Sequence, residues 1–104
     1  MENSCYLVMY DITDSPTLQK IGKLMINAGL ERVNYSVWIG SANPVDNLKL
    51  KKELMQLINS PEAKGSLFYV LPISRTTMKQ MRCINGRKPK DLDYWVGEKQ
   101  LLFF

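Results

Sequence analysis

Histidine is missing altogether. Its absence removes the side chain that most often acts as a general base near neutral pH, the base of Ser-His and Cys-His nucleophile pairs, and the commonest zinc ligand. Acid-base chemistry then falls to carboxylates, a metal ion or tyrosine. There are only two cysteines, Cys5 in an apolar segment and Cys83 beside a basic one. They are too few to form a zinc site and read as reduced thiols of a cytoplasmic protein. No run approaches the roughly 20 apolar residues of a membrane span, and Met1-Glu2-Asn3-Ser4 lacks the basic start of a signal peptide. The expectation is a cytoplasmic protein with no membrane contact.

At 104 residues the chain has room for one domain with a single modest core. Its formal charge of +4 is mild, so the placement of the cations matters more than their sum, and the balance leans toward an anionic partner. The densest stretch is Arg75, Lys79, Arg82, Arg87, Lys88 and Lys90, with no acid among them before Asp91.

Residues 4–12, built around Cys5-Tyr6-Leu7-Val8-Met9-Tyr10, are too apolar and too rich in strand formers for a surface segment and read as a buried strand. Asp14-Ser15-Pro16 starts a helix, with Ser15 as N-cap and Pro16 in the first helical position. Leu18, Ile21, Met25 and Ala28 recur at helical spacing, Lys20, Lys23 and Asn27 lie opposite, and Gly29 stops the helix. Val33, Tyr35, Val37 and Ile39 then alternate with Arg32, Asn34, Ser36 and Trp38, which makes one strand or two short ones. Asn43-Pro44 opens a second helix whose stripe Leu48, Leu54, Met55 and Ile58 is interrupted by Lys51 and ends before Pro61.

A further buried strand covers residues 66–73, with Pro72 marking an end or an edge. If residues 30–41 fold as a hairpin, the order is βαββαβ. That is an α+β, ferredoxin-like fold, an antiparallel sheet with two helices on one face. The apolar terminus Leu101-Leu102-Phe103-Phe104 is expected to dock as an added edge strand. Residues 1–74 then form the core, and residues 75–104 a basic segment and final strand of the same domain.

Tyr10-Asp11-Ile12 closing the first strand, Gly29 followed by Arg32-Val33-Asn34-Tyr35-Ser36-Val37-Trp38, and the chain length together resemble the small CRISPR-associated endoribonuclease family, the smaller of the two universal spacer-acquisition proteins. The resemblance covers about residues 4–74. The chain departs from the family pattern at Asn34, where glutamine is usual, and at Thr17-Leu18-Gln19, where arginines are frequent. The resemblance implies a ferredoxin-like homodimer whose C-terminal strand packs on the partner's sheet. It also implies two further partners: the larger CRISPR integrase subunit, and DNA or RNA held by the phosphate backbone. Members of the family are described both as metal-dependent nucleases and as non-enzymatic scaffolds of the DNA-integrating complex.

Asp11 occupies the position of the family's aspartate, and a carboxylate ending so apolar a strand is costly unless it is used or satisfied. In the use that the resemblance implies, a pair of Asp11 side chains across a two-fold axis holds Mg²⁺, the ion polarises a phosphate and activates water, and Ser36 orients that water. In the structural alternative, Asp11 hydrogen-bonds the turn at residues 12–14 or the start of the first helix, with Asp14 a cap-region residue. Arg75, Lys79 and Arg82 share one helical face, with Met78 and Met81 turned inward. With Arg87 and Lys88 they make the candidate phosphate-contacting set, a solvated face being the competing reading. Tyr35, Trp38, Tyr94 and Trp95 are assigned to core or interface packing rather than base stacking.

The expected function is therefore a dimeric, non-specific nucleic-acid-binding subunit of CRISPR spacer acquisition, with Mg²⁺-dependent phosphodiester hydrolysis as an added activity. The alternatives are a non-catalytic ferredoxin-like regulatory or interaction module and a toxin-type ribonuclease of the same fold.

Overall fold

The computed structural model describes residues 5–82. Cys83, Arg87, Lys88, the aromatic pair Tyr94 and Trp95 and the expected C-terminal strand lie outside the described residues. In chain order the elements are β1 (Cys5–Asp11), α1 (Ser15–Asn27), β2 (Glu31–Asn34), β3 (Val37–Gly40), α2 (Leu48–Ile58), β4 (Leu67–Ile73) and a short α3 (Arg75–Lys79). The strands form one antiparallel sheet in the order β2-β3-β1-β4. This is the ferredoxin-like βαββαβ arrangement that the periodicities predict. No helix among the described residues is long and apolar enough to cross a membrane.

Residues 31–40 resolve into a hairpin whose two-residue turn is Tyr35-Ser36, because Asn34 pairs with Val37. Neither turn residue has a positive φ, although tight hairpins favour that geometry. The register shifts between Arg32 and Asn34 instead, and such a bulge adds the local twist that lets the strands meet. β4 lies at an edge of the described sheet and pairs with β1 over its whole length, Pro72 standing opposite Tyr6. An edge position is where a strand tolerates a residue with no N–H.

α1 starts one residue earlier than expected. Asp14, not Ser15, is the N-cap: its Oδ2 accepts hydrogen bonds from the Thr17 backbone N–H at 3.0 Å and the Thr17 hydroxyl at 2.6 Å. A carboxylate with two donors from one residue is the stronger cap, and Pro16 moves to the second helical position. At the other end Gly29, at φ 85°, takes the left-handed conformation that ends the helix.

The second helix also differs from expectation. Asn43 caps a separate 3₁₀ turn, Pro44–Asp46, and Asn47 caps α2 by accepting from the Leu50 N–H at 2.9 Å. The buried stripe is Leu50, Leu54, Leu57 and Ile58, and Leu48 and Met55, about 20° apart on a different side of the helix, are exposed. Lys51 is therefore on the solvent side, not within the buried stripe.

Two clusters cover unequal parts of the sheet. On the helix side Val8, Tyr10 and Trp38 meet Ile21 and Met25 of α1 and Leu54 of α2, with Phe68 and Val70 of β4 packed against them. On the opposite side Met78 covers only Cys5 and Ile39, flanked by Val33, Ile73 and Met81. The alternate residues of β4 on that side, Leu67, Tyr69 and Leu71, are 48%, 54% and 47% exposed.

Candidate nucleic-acid interface

At the C-terminal end of β1, the strand's alternation places Asp11 on the side of the sheet away from α1 and α2, exposed, with Leu67 opposite it in β4. Its carboxylate takes no hydrogen bond or ion pair from any described residue. The structural work that would have explained it, holding the turn and the helix start, is done by Asp14. The two Thr17 donors hold the Asp14 carboxyl below the usual carboxylate range, so the two neighbouring acids have separate roles.

The β2–β3 turn lies alongside. The Tyr10 N–H donates to the Ser36 carbonyl at 3.0 Å, which brings the Ser36 residue beside the Tyr10-Asp11 end of the strand. The Tyr10 hydroxyl accepts from the Trp38 indole N–H at 2.7 Å and donates to the Tyr35 carbonyl at 3.4 Å. Its ring stacks on Phe68 with centroids 5.6 Å apart. Burial pushes the phenol's pKa up, opposed by the Trp38 hydrogen bond and by Arg32. Tyr10 thus stays protonated with both hydrogen-bonding roles filled, so it is not the base that the missing histidine leaves open.

Arg32 pairs across the hairpin with Trp38, its guanidinium carbon 4.8 Å from the Trp38 ring centroid and 5.8 Å from that of Tyr35. Gly22 of α1 makes room, since a Cβ there would stand 3.0 Å from Arg32 Nη2. Sequence reasoning missed the stack because Arg32 and Trp38 are six residues apart. Only the turn at Tyr35-Ser36 makes them cross-strand neighbours. Trp38 is the core residue expected, at 2% exposure, but Tyr35 is not, at 76%.

The cations of the basic stretch lie elsewhere. Arg75 follows β4 at the end paired with Cys5, and its charge partly opposes the burial that raises the Cys5 thiol pKa. β1 separates the two ends by about 20 Å at some 3.3 Å per residue. Within one chain Asp11 and the start of the basic stretch are therefore not brought together. α3 ends at Lys79, so Arg82 lies beyond the helix and the expected three-cation helical face reduces to Arg75 and Lys79. The helix stops where Met78 and Met81 dock on the Cys5–Ile39 cluster.

Among the described residues no group of three or more acids or cysteines could hold a metal ion. Asp11 nevertheless fits Mg²⁺ in kind. It offers a hard, exposed oxygen with no internal partner, and Mg²⁺ is commonly held by one or two carboxylates with waters and substrate phosphates.

The chain is 29% identical over 68 residues, 65% of its own length and 69% of the relative's, to a CRISPR-associated endoribonuclease Cas2 of Archaeoglobus fulgidus. Its fold matches that of Cas2 from Streptococcus pyogenes, with a TM-score of 0.63 at 22% identity, over 79% of this chain and 100% of that one. It also matches a hypothetical protein from Thermus thermophilus, with a TM-score of 0.62 at 23% identity, over 83% of this chain and 96% of that one. The model of the family CRISPR associated protein Cas2 matches residues 4–81, three quarters of the chain, including β1, the β2–β3 hairpin and Asp11. The chain belongs to that family.

Proposed function

We propose that the protein is a dimeric nucleic-acid-binding subunit of CRISPR spacer acquisition in the cytoplasm, working with the larger integrase subunit, and that Asp11 of each copy serves a shared phosphodiester-cleaving site. The endoribonuclease named for the Archaeoglobus relative supports cleavage. The observation that carries the reading is the Asp11 carboxylate itself, exposed at the end of a strand and without a partner among the described residues. The apolar face bearing Leu67, Tyr69 and Leu71 supports association of two copies.

Mg²⁺ at Asp11 would supply Lewis-acid polarisation of the phosphate and a more acidic bound water. Asp11 would hold the ion, and Ser36, in the turn bonded to Tyr10, would orient the attacking water. Arg75, Lys79 and Arg82, with Arg87 and Lys88, contact backbone phosphates, so binding follows charge and shape rather than base sequence.

The test compares wild type with Asp11→Asn on RNA and duplex DNA, with and without Mg²⁺. Asp11→Asn should abolish Mg²⁺-dependent cleavage while leaving fold and binding in place. Cleavage at the wild-type rate by the variant would sink the catalytic role of Asp11. Changing Arg75, Lys79 and Arg82 together to Gln should flatten the slope of log affinity against log salt on duplex DNA by roughly two to three units per subunit engaged. An unchanged slope would return these cations to solvated surface.

A further inference from the structure

We propose that Tyr35 forms a stacking site for one unpaired nucleobase, held in place by Arg32 beneath it and by Tyr10 behind the turn. This deepens the nucleic-acid reading above and rests on it. At 76% exposure, Tyr35 is the most exposed large apolar residue among those described, and it sits at a turn tip where no packing role accounts for it. The guanidinium of Arg32 lies against one side of its ring. The exposure leaves the other side open.

The platform is built rather than incidental. The turn backbone is tied to β1 twice, by the Tyr10 N–H to Ser36 O and by the Tyr10 hydroxyl to Tyr35 O. Arg32 is itself held from below by the buried Trp38 ring and from the side by the space at Gly22. The result is a layered column of indole, guanidinium and phenol ending in an open aromatic face. A planar base would continue that column, and aromatic side chains are the usual sequence-tolerant platform for bases. The guanidinium of Arg32 lies beside it, a planar cation suited to a phosphate of the same nucleotide. The turn also adjoins the Tyr10-Asp11 end of β1. Asp11 itself lies on the other side of the sheet from Arg32 and Trp38, and a base kept inside a duplex has no free face to offer.

The experiment measures binding of a fluorescent ten-nucleotide oligothymidylate and an abasic strand of the same length, which keeps the phosphates and removes the bases. Wild-type protein should prefer the base-bearing strand. Tyr35→Leu, which keeps an apolar side chain at an exposed site, should lose about five-fold or more in affinity for that strand, should lose the preference and should bind the abasic strand as wild type does. Tyr35→Phe should retain the preference.

Equal wild-type binding of the two strands would overturn the stacking site while leaving phosphate binding intact. A preference that survives in Tyr35→Leu would also overturn it. So would a Tyr35→Leu variant whose sedimentation changes while its preference does not, since the ring would then be a subunit contact. Failure of wild type to bind either strand or duplex DNA would instead remove the nucleic-acid reading itself.

Discussion

β4 presents two apolar sides that meet different fates. Phe68 and Val70 pack into the core beneath α1 and α2, with Tyr10 stacked on Phe68. Leu67, Tyr69 and Leu71, interleaved with them, stand about half exposed on the other side, where only Met78 and its neighbours cover the Cys5 end. An antiparallel sheet with one solvated side normally alternates apolar with polar residues. This strand does not alternate. Its composition suits burial on both sides, and the proposed association of two copies would supply the second cover.

The largest effect should come from the covered side. Trp38→Ala removes the biggest fully buried side chain and strips the Tyr10 hydroxyl of its donor, which should cost about 3–5 kcal/mol and leave little folded protein by thermal melt or denaturant titration. Gly40→Ala comes next. Its Cβ would overlap the Leu30 side chain and stand 3.3 Å from Leu30 Cα, so overpacking should cost about 1–3 kcal/mol in urea unfolding.

Changing Tyr69 and Leu71 together to Ser should cost little within one copy, about 0.5 kcal/mol each as for ordinary surface substitutions. The same change should weaken association. If a second copy is the cover, the wild-type melting temperature rises with protein concentration and that dependence disappears in the double variant. A wild-type melt independent of concentration would count against a second copy as the cover.

The smallest expected effect is at the start of α1. The two Thr17 hydrogen bonds lower the Asp14 pKa in the folded state. The stability they contribute is therefore complete above the ordinary carboxyl value of 3.8 and is lost as pH falls through the lowered folded value. Asp14→Asn, which cannot titrate, should flatten that part of the acid arm of a melting-temperature profile while leaving neutral pH nearly unchanged.

The order of elements was legible because the chain punctuates itself: Pro16, Gly29, Pro61 and Gly65 bracket runs with clear periods. The hairpin was open between one strand and two because Tyr35-Ser36 carries none of the glycine or asparagine that marks a tight turn. That one ambiguity also hid the Arg32–Trp38 pair and left open whether Tyr35 packs in the core, which its exposure excludes. The stripe of α2 differs from expectation because Leu50, Leu54, Leu57 and Ile58 share one side of the helix, while Leu48 and Met55 share another that faces solvent. Asp11 was visible from the start because a carboxylate closing an apolar strand needs a reason. The cations at 75–82 were visible as composition, but their distance from Asp11 depends on β4 running antiparallel to β1.

The Tyr10 hydroxyl, the buried Cys5 thiol and the Asp14 cap have a joint consequence for how activity should respond to acidity. The first two are moved toward higher pKa and the third toward lower, all away from neutrality. No histidine stands between them, and histidine is the side chain that ordinarily titrates from pH 5 to 8. These three groups therefore keep a constant charge across that interval and add no bend there to the protein's attraction for a polyanion. A cleavage rate that bends within it would report groups other than these three, which makes the pH–rate profile a view of the reacting site.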